Sequence, residues 1–131
     1  AKKTNKNLKI LGVTVLTSLN NRSLKETGHT KNINQIVRKQ ASLIKKSGCH
    51  GIVCSAQEAA MLSTQCGPEF SLITPGIRLP EDSAGDQRRV VTPWDAMAGG
   101  STYLVMGRSI TGAANPATVV DSIIGKLSSP N

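Results

Sequence analysis

Four short apolar runs recur along the chain, each closed by turn residues and each followed by a stretch with helical character. The first, "LKILGVTVLTS" from Leu8 to Ser18, is almost continuously aliphatic or β-branched and ends in small hydroxyls. That is the pattern of a parallel strand covered on both faces. "GIVCS" from Gly51, "SLITP" from Ser71 and "TYLVMG" from Thr102 repeat the character in shorter form. Between the first two, "KNINQIVRKQASLIKKSG" sets Ile33, Ile36, Val37, Ala41 and Ile44 at spacings of three and four, one apolar helical stripe that Gly48 stops. "AQEAAMLSTQ" holds good helix formers behind Ser55, a side chain able to cap the first amides. "TPWDAMAGG" offers Thr92 as N-cap with Pro93 at the first helical position, and a last helix follows Asn115-Pro116 through "ATVVDSIIGKL".

Strand then helix, four times over, predicts an α/β domain with right-handed crossovers and a parallel sheet. The sheet is either a small open one or part of a barrel, since four βα units are half of the eight in a closed (β/α)8 barrel of ~250 residues. With 131 residues the chain suits a single domain, 1–131. Phe70, Trp94 and Tyr103 are its only aromatics, so the core must be mostly Leu, Ile, Val and Ala. The polar, basic start, residues 1–7, is a candidate for disorder.

A net charge of +8 suits nucleic acid, an acidic membrane or a phosphorylated small molecule. Position narrows the choice. Lysines crowd at Lys2, Lys3, Lys6 and Lys9 and again at Lys39, Lys45 and Lys46, where they read as solvated surface, whereas the later arginines lie in glycine-containing loops. Single-stranded nucleic acid also calls for exposed aromatics, of which the chain has almost none to offer, so no nucleic-acid partner is expected. No apolar run approaches the roughly 20 residues of a membrane span, and no membrane partner is expected either. Cys49, Cys54 and Cys66 are odd in number, without paired-ligand spacing and without a signal peptide. They predict reduced thiols and a cytoplasmic setting rather than a disulfide framework or zinc site. His29 and His50 are too isolated to suggest a metal or a triad, and Ser55 has no histidine in motif range to make it a nucleophile.

Ligands of parallel α/β sheets sit at the carboxyl ends of the strands, and barrels often hold a phosphate in the loops after the last two strands. Two loops match. "MGRSITGAANP" places Gly107 and Arg108 at a strand end, so that a backbone N–H and a guanidinium fork can meet one anion. "ITPGIRLPEDSAGDQRR" offers Arg78 soon after its strand, Gly85 at its tip, and Gln87, whose amide donates without adding charge. Glu81 and Asp86 are expected to face solvent or to pair with Arg88 and Arg89, which makes those two arginines outer charges. Each loop alone is also what a solvated turn looks like; together, at the ends of successive strands, they favour phosphate. Thr17 and Ser18 end the first run and could either meet a polar ring in the same cavity or close their own turn.

"ILGVTVLTS", "GIVCSAQEAAML", "ITPGIR", "GDQRRVVTPWDAMAGG" and "YLVMGRSIT" resemble, in order and spacing, the bacterial orotidine 5′-phosphate decarboxylases, from about Leu8 to Leu127. The resemblance implies conversion of orotidine 5′-monophosphate to uridine 5′-monophosphate, the last step of pyrimidine synthesis. It also implies no cofactor or metal and a homodimer of (β/α)8 barrels. On the matching positions it implies a phosphate group made of Arg78, Gln87, Gly107 and Arg108, with Thr17 reading the pyrimidine ring and Pro75 beside it. The loop of Gln87 resembles the family's lid that closes on phosphate.

One departure matters. The family's alternating Lys-Asp-Lys-Asp array, much of it in an Asp-x-Lys-x-x-Asp motif on the third strand, has no counterpart here. The chain therefore aligns with strands five to eight of the barrel, the C-terminal half, and no residue in it is expected to be catalytic. Activity is expected only with an N-terminal half, and a start at Ala1 fits initiator-methionine removal or an excised fragment alike. A four-strand half-barrel would expose two sheet edges and an apolar interior, which predicts self-association or pairing with the other half. The alternative is a non-catalytic phosphate-binding half-barrel.

Overall fold

The computed structural model describes residues 3–82 and 89–129. Four parallel strands form one sheet in the sequential order β1 (Leu11–Val13), β2 (Gly51–Val53), β3 (Ser71–Thr74), β4 (Tyr103–Leu104). Between and after them run α1 (Asn21–Glu26), α2 (Ile33–Lys46), α3 (Ala59–Cys66), α4 (Pro93–Ala98), α5 (Arg108–Thr111) and α6 (Pro116–Ser128). A 3₁₀ turn, Ala56–Glu58, leads into α3. The expected alternation is present, with every strand pair parallel.

The helix signals act where the residues put them. Asn32 and Gln35 form a reciprocal capping box on α2: Asn32 Oδ1 accepts from the Gln35 N–H at 3.0 Å and Gln35 Oε1 accepts from the Asn32 N–H at 3.2 Å. Gly48, at φ +77°, then takes the left-handed conformation that ends the helix. Lys45 Nζ, in its last turn, donates to the Cys66 carbonyl at 2.6 Å and so satisfies the end of α3. Ser55 and Thr92 cap as their positions predict, and Asn115 caps α6. Helices α1 and α5 lie outside the predicted set: both are short, and α1 buries one residue, Leu24, too little for an apolar stripe to show in sequence.

The register divides the sheet into two faces. Gly12, Ile52 and Leu72 align across β1, β2 and β3, and the latter two are fully buried against the helices. A Cβ on Gly12 would meet Ile44 Cγ2 at 2.5 Å, so glycine there lets α2 lie directly on β1. Ile33, Val37 and Ala41 of α2 and Ala59, Leu62 and Cys66 of α3 complete this core. A second cluster, Ala56, Ile77 and Ala96 with Val91 and Leu104 packed on it, anchors the β3–α4 connection.

The other face carries Val13, Val53, Ile73 and Tyr103 in one row. Here β1 departs from expectation: it is covered on one face only, with Leu11 at 41% and Val13 at 56% exposure. As an outer strand with a bare inner face it also pairs over three residues, far fewer than the run Leu8–Ser18, because the ladder extends only as far as β2 runs beside it. No helix among the described residues is long and apolar enough to cross a membrane.

Candidate functional site

The carboxyl ends of the strands bring the polar loops together. After β3 the chain passes Pro75, half-buried, and a left-handed Gly76 at φ +79° before Ile77 pairs in parallel with Val91. The Arg78 N–H donates to the Val91 carbonyl at 3.1 Å, which fixes the backbone from which its side chain leaves. That side chain is largely buried, with Nη1 donating to the Ile77 carbonyl at 3.1 Å. After β4, Gly107 precedes α5 and Arg108 is its first residue. A Cβ built on Gly107 would meet nothing within 4 Å, so the space above this backbone is open.

Arg78, Asp82, Arg108 and Ser109 line one cavity of about 180 Å³. Arg78 and Arg108, which follow successive strands, thus line the same cavity. Asp82 belongs to the same cavity and was not foreseen as part of it. Its Oδ2 accepts from the Leu79 N–H at 2.9 Å. The adjacent Ser109 hydroxyl, then that N–H, hold its carboxyl below the ordinary carboxylate value, with Arg78 adding to the effect. The cavity therefore has its cationic walls balanced on one side by an anion. Glu81 is exposed, as expected.

Thr17 and Pro75 do not line this cavity. Thr17 is buried in the turn after β1, and Pro75 follows β3, two strands away at the same end of the sheet. Gln87 lies outside the described residues. A larger opening of about 700 Å³ lies between α4 and α6, flanked by Lys126, whose Nζ stands 4.9 Å from the Trp94 ring centre. It belongs to the helix layer and not to the strand ends.

Arg89 corrects the expectation of an outer charge. It is 5% exposed, ion-paired with the equally buried Glu58, and its Nη2 donates to the Val15 and Leu16 carbonyls at 3.0 and 3.1 Å. The physical reason lies at the start of α3: Glu58, the residue before it, stands four before Leu62 and eight before Cys66 and continues their buried side, so Glu58 points inward and needs a cation. That spacing was a readable signal. Burial pushes the Glu58 carboxyl above the ordinary carboxylate range, and the Arg89 guanidinium pulls it partly back.

A sequence profile described as "Orotidine 5'-phosphate decarboxylase / HUMPS family" matches residues 1–123. An orotidine 5'-phosphate decarboxylase of Vibrio campbellii is 49% identical over 120 residues, 92% of this chain and 52% of that protein. One from Marinomonas is 51% identical over 111 residues, 85% of this chain and 47% of that protein. The solved orotidine 5'-phosphate decarboxylase of Lactobacillus acidophilus superposes with a TM-score of 0.75 at 33% identity, over 92% of this chain and 50% of that structure. The chain spans about half the length of the curated relatives it matches.

Proposed function

Because this chain belongs to the orotidine 5′-phosphate decarboxylase / HUMPS family, we propose that it is the phosphate- and pyrimidine-binding half of such a decarboxylase, corresponding to strands five to eight of the barrel. The observation that carries this reading is the convergence of Arg78 and Arg108 on one cavity at the ends of β3 and β4. A phosphate monoester presents several acceptor oxygens, and two guanidinium forks satisfy them with charge-assisted hydrogen bonds. The open space above Gly107 leaves room for such a group close to the backbone. Gln87 joins the phosphate group by its place in the motif. Thr17 and Pro75 serve the pyrimidine end.

The chemistry itself asks for more than this half holds. Loss of carbon dioxide from orotidine 5′-monophosphate breaks the bond to ring carbon six and leaves its electron pair there, and a proton delivered to that carbon completes uridine 5′-monophosphate. No described residue between β2 and α3, β3 and α4 or β4 and α5 is a lysine, and the chain carries no Asp-x-Lys-x-x-Asp motif. The proton donor and the carboxylates that oppose the substrate's own must then come from an N-terminal half. What this half contributes is binding energy remote from the reacting bond, which stabilises the transition state when the whole site is assembled. The setting is cytoplasmic, and the assembled enzyme is a dimer.

Arg108→Ala tests the phosphate assignment. Removing one charge-assisted partner should cost roughly 1.5–3 kcal/mol of uridine 5′-monophosphate affinity, read by calorimetry on this chain. Unchanged affinity would exclude Arg108 from the phosphate group. Decarboxylation of orotidine 5′-monophosphate should appear only when an N-terminal half is added; turnover by this chain alone would overturn the division of labour, and binding that never becomes turnover would favour the non-catalytic alternative.

A further inference from the structure

The Glu58–Arg89 pair lies outside the phosphate cavity, yet its arginine holds backbone carbonyls beside Thr17 and stands two residues before Val91, the backbone partner of Arg78. Glu58 ends the 3₁₀ turn that follows β2, its N–H donating to the Ser55 carbonyl at 3.0 Å. Arg89 Nη1 pairs with Glu58 Oε1, while Nη2 reaches the Val15 and Leu16 carbonyls. Those carbonyls lie where β1 leaves the sheet: Thr14 is the last residue tied to β2, through its N–H and hydroxyl to the Val53 carbonyl at 3.0 and 3.1 Å. Beyond it Leu16 also accepts from the Leu19 N–H at 3.0 Å, closing the turn that contains Thr17. On its other side Arg89 is two residues from Val91, the partner that fixes Arg78. Arg89 thus joins two places at the strand ends: its side chain holds the Thr17 turn, and its backbone runs on to Val91, which pairs with Arg78.

Stability alone does not account for such a pair. Glu58 Oε2 and Arg89 Nε find no partner among the described residues, and an incompletely satisfied buried ion pair is seldom more stabilising than apolar groups of similar volume. Its planar fork does what an apolar residue cannot, which is to bind a carboxylate and two carbonyls at fixed separations. We propose that Arg89, oriented by Glu58, is a positioning residue that sets the distance between the phosphate subsite and the Thr17 turn. It acts through the Val15 and Leu16 carbonyls that lead into the Thr17 turn and so selects a nucleoside monophosphate over a shorter phosphate ester. This inference rests on the site reading given above.

Two ligands and three variants test it on this chain. Ribose 5-phosphate probes the phosphate subsite alone; uridine 5′-monophosphate probes both. Arg89→Lys keeps the charge for Glu58 but loses the fork, and should weaken uridine 5′-monophosphate at least about fivefold while leaving ribose 5-phosphate within about twofold. Glu58→Gln retains an oxygen for Arg89 and should recover most of the preference, whereas Glu58→Ala should lose it. Equal weakening of both ligands, or no change in their ratio, would overturn the proposal. Amide hydrogen exchange without ligand supplies an independent arm: the Leu19 N–H should exchange faster in Arg89→Lys, and unchanged protection there counts against Arg89 holding the turn. If the wild-type chain binds neither ligand, the site reading fails, and the exchange measurement still decides whether Arg89 fixes the turn.

Discussion

Cys54 sits at the end of β2 with 1% of its surface exposed, and burial, then the neighbouring Glu58 carboxylate, push its thiol from 9.0 up to about 12. A rise of about 3 units lowers the thiolate fraction at neutral pH about a thousandfold. At pH 8 iodoacetamide should modify the half-exposed Cys49 at least about a hundredfold faster than Cys54; comparable rates would show that Cys54 is not shielded. The folded-state pKa lies above the unfolded one, so the stability Cys54 contributes is fully present below pH 9 and is lost as pH rises through about 12. Alkaline unfolding of Cys54→Ala should therefore lose stability less steeply between these values than the wild type. The sequence marks Cys54 as a packing residue, because a cysteine closing a β-branched run has no ligand-spaced partner. It marks Arg78 and Arg108 as a pair, because each follows a strand. Arg89 is harder to read: an arginine in a polar loop gives no sign of turning inward until Glu58, just before α3, is seen in line with buried Leu62 and Cys66.

At the scale of elements, legibility follows the number of independent local signals. Helix α2 has an apolar stripe, a capping box and a terminating glycine, and the structure begins and ends it close to where these signals lie. Asn32→Ala should cost ~1 kcal/mol in urea unfolding, since it removes the acceptor for the Gln35 N–H and half of the box; a change below about 0.3 kcal/mol would show that packing against β1 and β2 holds the helix start unaided. Helix α1 has one buried side chain and a single cap from Asn20 to the Ser23 N–H. Such a segment is helical because Leu24 finds the core and because Asn21 Oδ1 accepts from the Ile33 N–H at 2.8 Å, a contact no local pattern announces. Strand lengths escape for a related reason. A run of apolar residues permits a strand, but hydrogen bonds to a neighbour define its length.

At the scale of the whole molecule, the sheet is finished on one side only. Ile52 and Leu72 are covered by helices, while Leu11, Val13, Tyr103 and Val105 stand exposed on or beside the outer strands. Apolar surface of this kind, next to the outer edges of β1 and β4, favours association. In sedimentation velocity the chain alone should form concentration-dependent oligomers, and Val13→Asp with Val105→Asp should shift it toward monomer. A strictly monomeric wild type at tens of micromolar would show that this face tolerates water. Adding an N-terminal half should compete with self-association if both use the same edges.

By itself the sequence determined the alternation of strands and helices, the parallel sheet and the two arginine loops at successive strand ends, because periodicity, caps and strand-end residues are local. It also carried the family's ordered words, and the absence of a lysine and aspartate array among them. Only the tertiary structure decided which sheet face is bare, that Asp82 shares the cavity of Arg78 and Arg108, and that Arg89 is an internal tie. Those depend on residues far apart in the chain meeting at one end of the sheet: Arg89 reaches carbonyls 74 and 73 positions away. A buried charge is positioned by its partners, and its partners are known only once the strands are side by side.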